Sequence, residues 1–273
     1  MATGIIACSE SSQRPPAPLI AFEPVSTTLQ TELEKLERLR EHYRQAMTAG
    51  TILPNVIEAT RIAVTYNSNA IEGSTLSLRD TQLVVEGLTP PGGKPLREIY
   101  EARNHDRALR IIESWAKQRP PAAPLTQADL LEVHAQVLAE IDPPAAGRFR
   151  TERVLISGSS YVPPGVHRFS ELIPGLILLA NRPNVAAALQ AAELHYNLAA
   201  VHPFRDGNGR TARLMMNYCL LRRDFPHAII AFGQRSEYLS ALDQANAGDW
   251  EPFAAFVIRS IGSSIEQILG SEI

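Results

Sequence analysis

Twelve consecutive residues, His202-Pro-Phe-Arg-Asp-Gly-Asn-Gly-Arg-Thr-Ala-Arg213, hold the densest set of groups able to do chemistry in this chain. Gly207 and Gly209 let backbone N–H groups approach a ligand closely, and a helix beginning at the Gly-Asn-Gly adds unpaired donors and the positive end of its dipole. That is an anion site. Arg210 and Arg213, three residues apart, add two forked cations beside the same donors, so phosphate is the expected guest and a polyphosphate would use both. A carboxylate inside an anion site repels its guest unless a cation lies between them. Asp206 therefore implies a divalent metal shared with phosphate oxygens, and Mg²⁺ is commonly held this way. His202, at the end of the preceding helix, is placed to take a proton from an incoming hydroxyl, with Phe204 as the apolar anchor of the loop. Alone, Gly-Asn-Gly is a turn and a His before Pro a helix terminus; their concentration within one segment is the signal. The segment lacks the Gly-Lys-Ser/Thr of a Walker loop, and a zinc site on His195, His202 and Asp206 has no recognised ligand spacing.

The elements that position this segment are mostly helical. Leu29, Leu33, Leu36, Tyr43 and Met47 recur at steps of three to seven with charges between them, which predicts an amphipathic helix over 27–49. Similar patterns predict helices over 54–70, 96–118, 126–140, 184–202, 208–223, 236–247 and 250–269, with proline clusters between many of them. Residues 153–162 break the pattern: β-branched and aromatic residues flank a Gly-Ser turn, with two prolines following, and predict a short β-hairpin. The expected architecture is all-α with that one hairpin. It divides into a flexible tail over 1–22, an N-terminal helical region over 23–90 and a core over 91–273.

Composition limits the partners. The chain has 273 residues, 45% of them hydrophobic and 20% charged, enough for one large domain or a core with an appendage. Only Lys35, Lys94 and Lys117 are lysines among 26 basic residues, so positive charge is nearly all arginine, which suits planar contacts with phosphate or carboxylate. A net charge of −3 without a long basic run argues against nucleic acid as a partner. Cys8 and Cys219 supply no disulfide framework, the start lacks a signal-like pattern, and the longest aliphatic run, 176–180, is too short for a bilayer. A cytoplasmic, reducing setting without a membrane partner is expected.

The segment resembles the Fic (Fido-fold) family, whose motif His-x-Phe-x-Asp/Glu-Gly-Asn-Gly-Arg-x-x-Arg is matched at every fixed position by 202–213. The resemblance extends to Gly147-Arg-Phe-Arg150, to Pro163-Pro164 and to Tyr238, Asn246 and Gly248-Asp249, and so covers roughly 100–265. It implies transfer of AMP from ATP to a Tyr, Thr or Ser hydroxyl of a target protein, on a helical core with a hairpin flap. His202 is then the general base, Asp206 the Mg²⁺ ligand, Gly207, Asn208 and Gly209 the anion hole, and Arg210 and Arg213 the grip on the outer phosphates. Tyr238 and Asn246 are implied near the adenine. Gly158, Ser159, Ser160 and Tyr161 are implied at the flap tip, where an exposed edge can pair with the target.

Ser68-Asn-Ala-Ile-Glu72-Gly73 matches the inhibitory pattern of the same family. A two-pronged pair between Glu72 and Arg213 would hold the enzyme off. The same glutamate serves AMP removal in some relatives. Other readings are a Fic-type transferase of UMP or phosphocholine, since the motif does not choose the base, and a non-catalytic ATP-binding regulator. Self-association is also implied. His42, His105, His134, His167, His195 and His227 are read as structural or surface residues.

Overall fold

The computed structural model describes residues 19–120, 122–156 and 158–270. Ten α-helices are found among them: α1 Thr27–Ala49, α2 Pro54–Ile71, α3 Leu78–Val85, α4 Leu96–Gln118, α5 Gln127–Val137, α6 Phe169–Ala180, α7 Ala187–Val201, α8 Asn208–Leu221, α9 Arg235–Asn246 and α10 Glu251–Leu269. Local signals set several of their ends. The Ser26 hydroxyl accepts from Leu29 N–H and Gly50, at φ 72°, closes α1; Ser77 with Asp80 and Thr126 with Asp129 form capping boxes at α3 and α5.

The centre is the antiparallel pair α7 and α8, whose residues are buried nearly all round. Ala187, Ala188, Ala191 and Ala192 keep α7 slim, so neighbouring helices close onto it at interior density. Helices α4 and α5 pack on α8, α6 and α10 on α7, α9 on α10, and α1 lies outside α10. One hydrophobic core joins Leu29, Leu33 and Leu36 of α1 to Ala108, Leu109 and Ile112 of α4 and to Phe253, Val257 and Ile261 of α10. It therefore crosses the boundary expected at residue 90.

Of the tail expected over 1–22, residues 1–18, and Cys8 with them, lie outside the described residues. Residues 19–22 are docked. Ile20 N–H donates to Asn197 Oδ1 at 2.8 Å, Phe22 N–H to Glu193 Oε2 at 2.6 Å, and the Phe22 ring stacks on Trp250 at 4.6 Å.

The expected hairpin is not formed: no strand occurs among the described residues. Residues 153–156 and 159–162 have no regular secondary structure; Ser159 N–H donates to the Ile156 carbonyl at 3.2 Å, and Gly158 has φ 77°. The physical reason is that the arms are very short and lead into Pro163-Pro164, which carry no N–H for a ladder. Side chains hold the segment instead. The Arg150 guanidinium donates to the Glu152 and Pro164 carbonyls at 2.6 and 2.7 Å, tying its two ends together. Two helices also escaped the periodicity: α3 has eight residues, and α6 is apolar on most sides with Pro174 inside it.

Candidate functional site

His202 ends α7 in the left-handed region at φ 49°, and Pro203 follows, so the chain leaves the helix there. Gly207, at φ 76°, starts α8; a Cβ on it would lie 3.1 Å from Val137 Cγ1, so both conformation and space require glycine. Between them the loop is braced from within and from behind. Asn208 accepts from Phe204 N–H and donates to the Phe204 carbonyl, both at 2.9 Å. The Phe204 ring is fully buried and stacks on His134 at 3.6 Å. His134 accepts from Gly147 N–H through Nδ1, so Nε2 carries the hydrogen it shares with the Asp206 carbonyl at 3.0 Å. Burial lowers its pKa to about 4, which keeps that pattern in its neutral form. Arg150 completes the frame through Nε, which donates to the His202 carbonyl at 2.8 Å.

His202 Nδ1 lies 3.2 Å from the Ala199 carbonyl, an acceptor only, which assigns the hydrogen to Nδ1 and leaves Nε2 with a bare lone pair. Burial, opposed by that carbonyl and reinforced by Arg150, lowers the imidazole pKa. The ring is therefore neutral at ordinary pH and lines a cavity of about 180 Å³ with Glu72, Gly209, Arg213, Tyr238 and Asn246.

Glu72 stands at the C-terminus of α2 and reaches Arg213 across the cavity: Arg213 Nη2 donates to Glu72 Oε1 at 2.7 Å. One hydrogen bond forms rather than the two-pronged pair expected, because Ser68 and the Tyr238 hydroxyl hold the rest of the fork. Arg213 Nε donates to Ser68 Oγ at 3.0 Å and Nη2 to the Ser68 carbonyl at 2.9 Å. A Cβ on Gly209 would collide with Glu72 Oε1, so the carboxylate lies directly over the first turn of α8. Burial pushes the Glu72 carboxyl upward, but Arg213 and Arg210 outweigh it and the net shift is downward. The protein's own anion thus stands where the sequence places the ligand's. Gly73 follows at φ 101° with open space around it, as the turn out of α2.

Asp206 is paired with cations of the chain. Oδ1 accepts from Gly207 N–H at 2.6 Å and from Arg210 Nη2 at 3.3 Å; Oδ2 meets Arg97 Nη2 at 2.6 Å. Burial raises its pKa, and Arg210, Gly207 N–H and Arg97 together lower it further. Arg210 is buried between Asp206 and Glu101, 3.2 Å from Nη1, while its Nε has no acceptor among the described residues.

The sequence expectations are therefore met unevenly. His202, Gly207, Gly209, Arg210, Arg213 and Asp206 converge around one loop and helix start. The Asn208 side chain does not face the anion hole, since both its polar atoms hold Phe204. Tyr238 lines the cavity but is buried, its hydroxyl 3.0 Å from His195 Nε2. Burial lowers the His195 pKa to about 3. Asn246 borders the cavity and accepts from the Tyr196 hydroxyl at 3.4 Å. Of the flap residues, Gly158, Ser159 and Tyr161 border the cavity and Ser160 does not; Ser159 donates to Asp243 at 3.3 Å. Sequence reasoning missed Arg97 and Glu101, while His134, read as structural or surface, is a buried brace. For the first two the only signal was helical spacing, and Arg97 four before Glu101 reads as an ordinary surface pair.

The site therefore joins a buried helix start with two arginines, a neutral histidine beside it and an intramolecular carboxylate over it, on a mainly helical fold. The Fic/DOC family model matches residues 124–220. A protein adenylyltransferase Fic of Nematostella vectensis is 36% identical over 92% of this chain and 58% of its own length. Protein adenylyltransferase fic-1 of Caenorhabditis elegans is 34% identical over 88% of this chain and 47% of its own. Among solved structures, a segment of Fic-1 from C. elegans superposes with a TM-score of 0.79 at 31% identity, covering 89% of this chain and 72% of that one. A Fic domain containing signaling protein from Bacteroides thetaiotaomicron gives 0.73 at 25% identity, covering 89% and 99%. The chain belongs to the Fic/DOC family. It spans about half the length of the curated relatives it matches.

Proposed function

We propose that this protein transfers AMP from ATP to a Tyr, Thr or Ser hydroxyl of a target protein and is held off by Glu72. The observation that carries the reading is the Glu72 carboxylate on Arg213, 2.7 Å away and over the first turn of α8, beside a neutral His202. The names of the curated relatives support it.

In this reading His202 Nε2 takes the proton of the attacking hydroxyl. The hydroxyl oxygen bonds to the α-phosphorus, the bond to the bridging oxygen breaks, and pyrophosphate leaves with that electron pair. Proton removal of this kind is worth about 10² to 10⁴ in rate. The N–H groups at the start of α8 and the guanidinium of Arg213 face the phosphates once Glu72 withdraws, and Arg210 Nε is a buried donor lacking an acceptor among the described residues.

A divalent ion fits at Asp206. Its outer oxygen already draws a cation, Arg97, at 2.6 Å, and one carboxylate with substrate phosphates is a donor set that Mg²⁺ accepts. Bound there, Mg²⁺ would supply charge neutralisation on the phosphates.

The backbone of 153–156, outside any helix or strand, supports docking of a target segment along the flap. No helix among the described residues is long and apolar enough to cross a membrane.

The test is labelling with α-³²P nucleotides. A charged hydrogen bond of this kind is worth about 1.5–3 kcal/mol, so Glu72→Gly should raise AMP transfer roughly ten- to hundredfold. His202→Ala in that background should abolish it. Equal labelling by wild type and Glu72→Gly would remove autoinhibition from the account, and labelling by UTP in place of ATP would change the transferred group. Loss of AMP hydrolysis from a modified target in the same variant would add de-AMPylation.

A further inference from the structure

We propose that Arg97 is a built-in competitor for the metal position, a tethered cation that must leave Asp206 before the divalent ion can bind. The proposal rests on the reading of Asp206 as metal ligand. It follows from how the two carboxylate oxygens are used. Oδ1 is committed to its own loop, accepting from Gly207 N–H at 2.6 Å and from Arg210 at 3.3 Å. Oδ2 accepts from Arg97 Nη2 at 2.6 Å and from no other group among the described residues. An ion that takes Oδ2 needs the space and the lone pairs that this guanidinium uses, so the two occupancies exclude one another.

The tether lies one helix turn along α4. Glu101 Oε1 holds Arg97 Nε at 3.1 Å and Arg210 Nη1 at 3.2 Å, so a displaced Arg97 keeps a partner instead of drifting into solvent. The Arg97 side chain is 60% exposed, which lets it swing without opening the core. Arg97 belongs to α4 and acts on Asp206, whereas Glu72 belongs to α2 and acts on Arg213. The site therefore carries two restraints, one on each charge that the nucleotide complex brings: Glu72 stands in for the anion and Arg97 for the cation. An exposed ion pair shifts an equilibrium by at most about fivefold, and the half-exposed Asp206 raises that somewhat.

The experiment is calorimetric titration of ATP, with and without Mg²⁺, into Glu72→Gly and into the same variant carrying Arg97→Ala, Arg97→Lys or Asp206→Asn. Arg97→Ala should tighten ATP binding roughly three- to tenfold in Mg²⁺ and leave binding in EDTA unchanged, and Arg97→Lys should fall between it and the parent. Asp206→Asn should remove the Mg²⁺ dependence. If Asp206→Asn removes it while Arg97→Ala leaves the affinity in Mg²⁺ unchanged or weaker, the competitor role is overturned and the metal-ligand reading stands. If Arg97→Ala weakens binding in EDTA alone, Arg97 is a phosphate contact and the proposal fails. If Asp206→Asn preserves the Mg²⁺ dependence, Asp206 is no ligand and both readings fall together.

Discussion

At the scale of single residues, the site is a set of charges that satisfy one another. Glu72 answers Arg213, Arg97 and Arg210 answer Asp206, and Glu101 answers Arg97 and Arg210. His202 is the exception, with its Nε2 left to accept a proton. Because burial lowers its pKa, the imidazole stays neutral down to a pH below the ordinary histidine value of about 6.5, as the base in the proposed transfer must be. Transfer by the Glu72→Gly variant should therefore rise with pH along an acid limb whose midpoint lies below 6.5 and then level off. A pH–kcat/KM profile checks this, and a midpoint above 6.5 would contradict the assignment.

At the scale of elements, Arg150 joins the loop to the flap. It donates to the His202, Glu152 and Pro164 carbonyls, its own N–H donates to the Pro203 carbonyl at 2.9 Å, and its guanidinium stacks over Phe169 at 4.9 Å. Arg150→Ala strands three carbonyls and should cost about 2–4 kcal/mol, lowering the thermal midpoint by roughly 4–16 °C for a chain of this size. Transfer should fall as well, since His202 loses its backbone anchor. Arg150→Lys should not rescue either property, because an ammonium cannot span three diverging carbonyls. Calorimetry and labelling of the two variants check both points. At this scale the helices with one apolar stripe were legible in the sequence, α1 and α4 among them. The flap was not: a β-branched run reads as strands, but pairing needs donors that Pro163 and Pro164 lack, and the side chain that shapes the segment, Arg150, precedes it.

At the scale of the whole molecule, the core around α7 and α8 encloses histidines that fold neutral. His105 is held well below its usual pKa, His134 falls to about 4 and His195 to about 3, with burial the largest cause for each. Above about pH 6.5 these groups are neutral in both folded and unfolded states. As pH falls from there toward the folded values, only the unfolded chain takes up the protons, so stability is lost by up to about 1.4 kcal/mol per unit for each histidine. Three such groups should remove several kcal/mol between pH 6.5 and 4.5, out of the roughly 5–15 kcal/mol a protein of this kind has. Urea denaturation at pH 7 and pH 4.5 measures the loss, and equal midpoints would contradict it.

The sequence by itself determined which groups the proposed anion site can offer: two glycines at a helix start and two arginines within its first turns lie together because local spacing alone places them on one loop and helix. It also determined Glu72 as a candidate, from a short pattern at a helix end. Only the tertiary structure decided how these charges are spent. Glu72 and Arg213 are 141 residues apart and meet because α2 packs on α8, and Ser68, one turn earlier, then takes half of the guanidinium. Arg97 reaches Asp206 across 109 positions because α4 lies along α8. Local spacing specifies which groups a loop can offer, whereas the partner that satisfies each of them depends on which distant helix the core brings alongside.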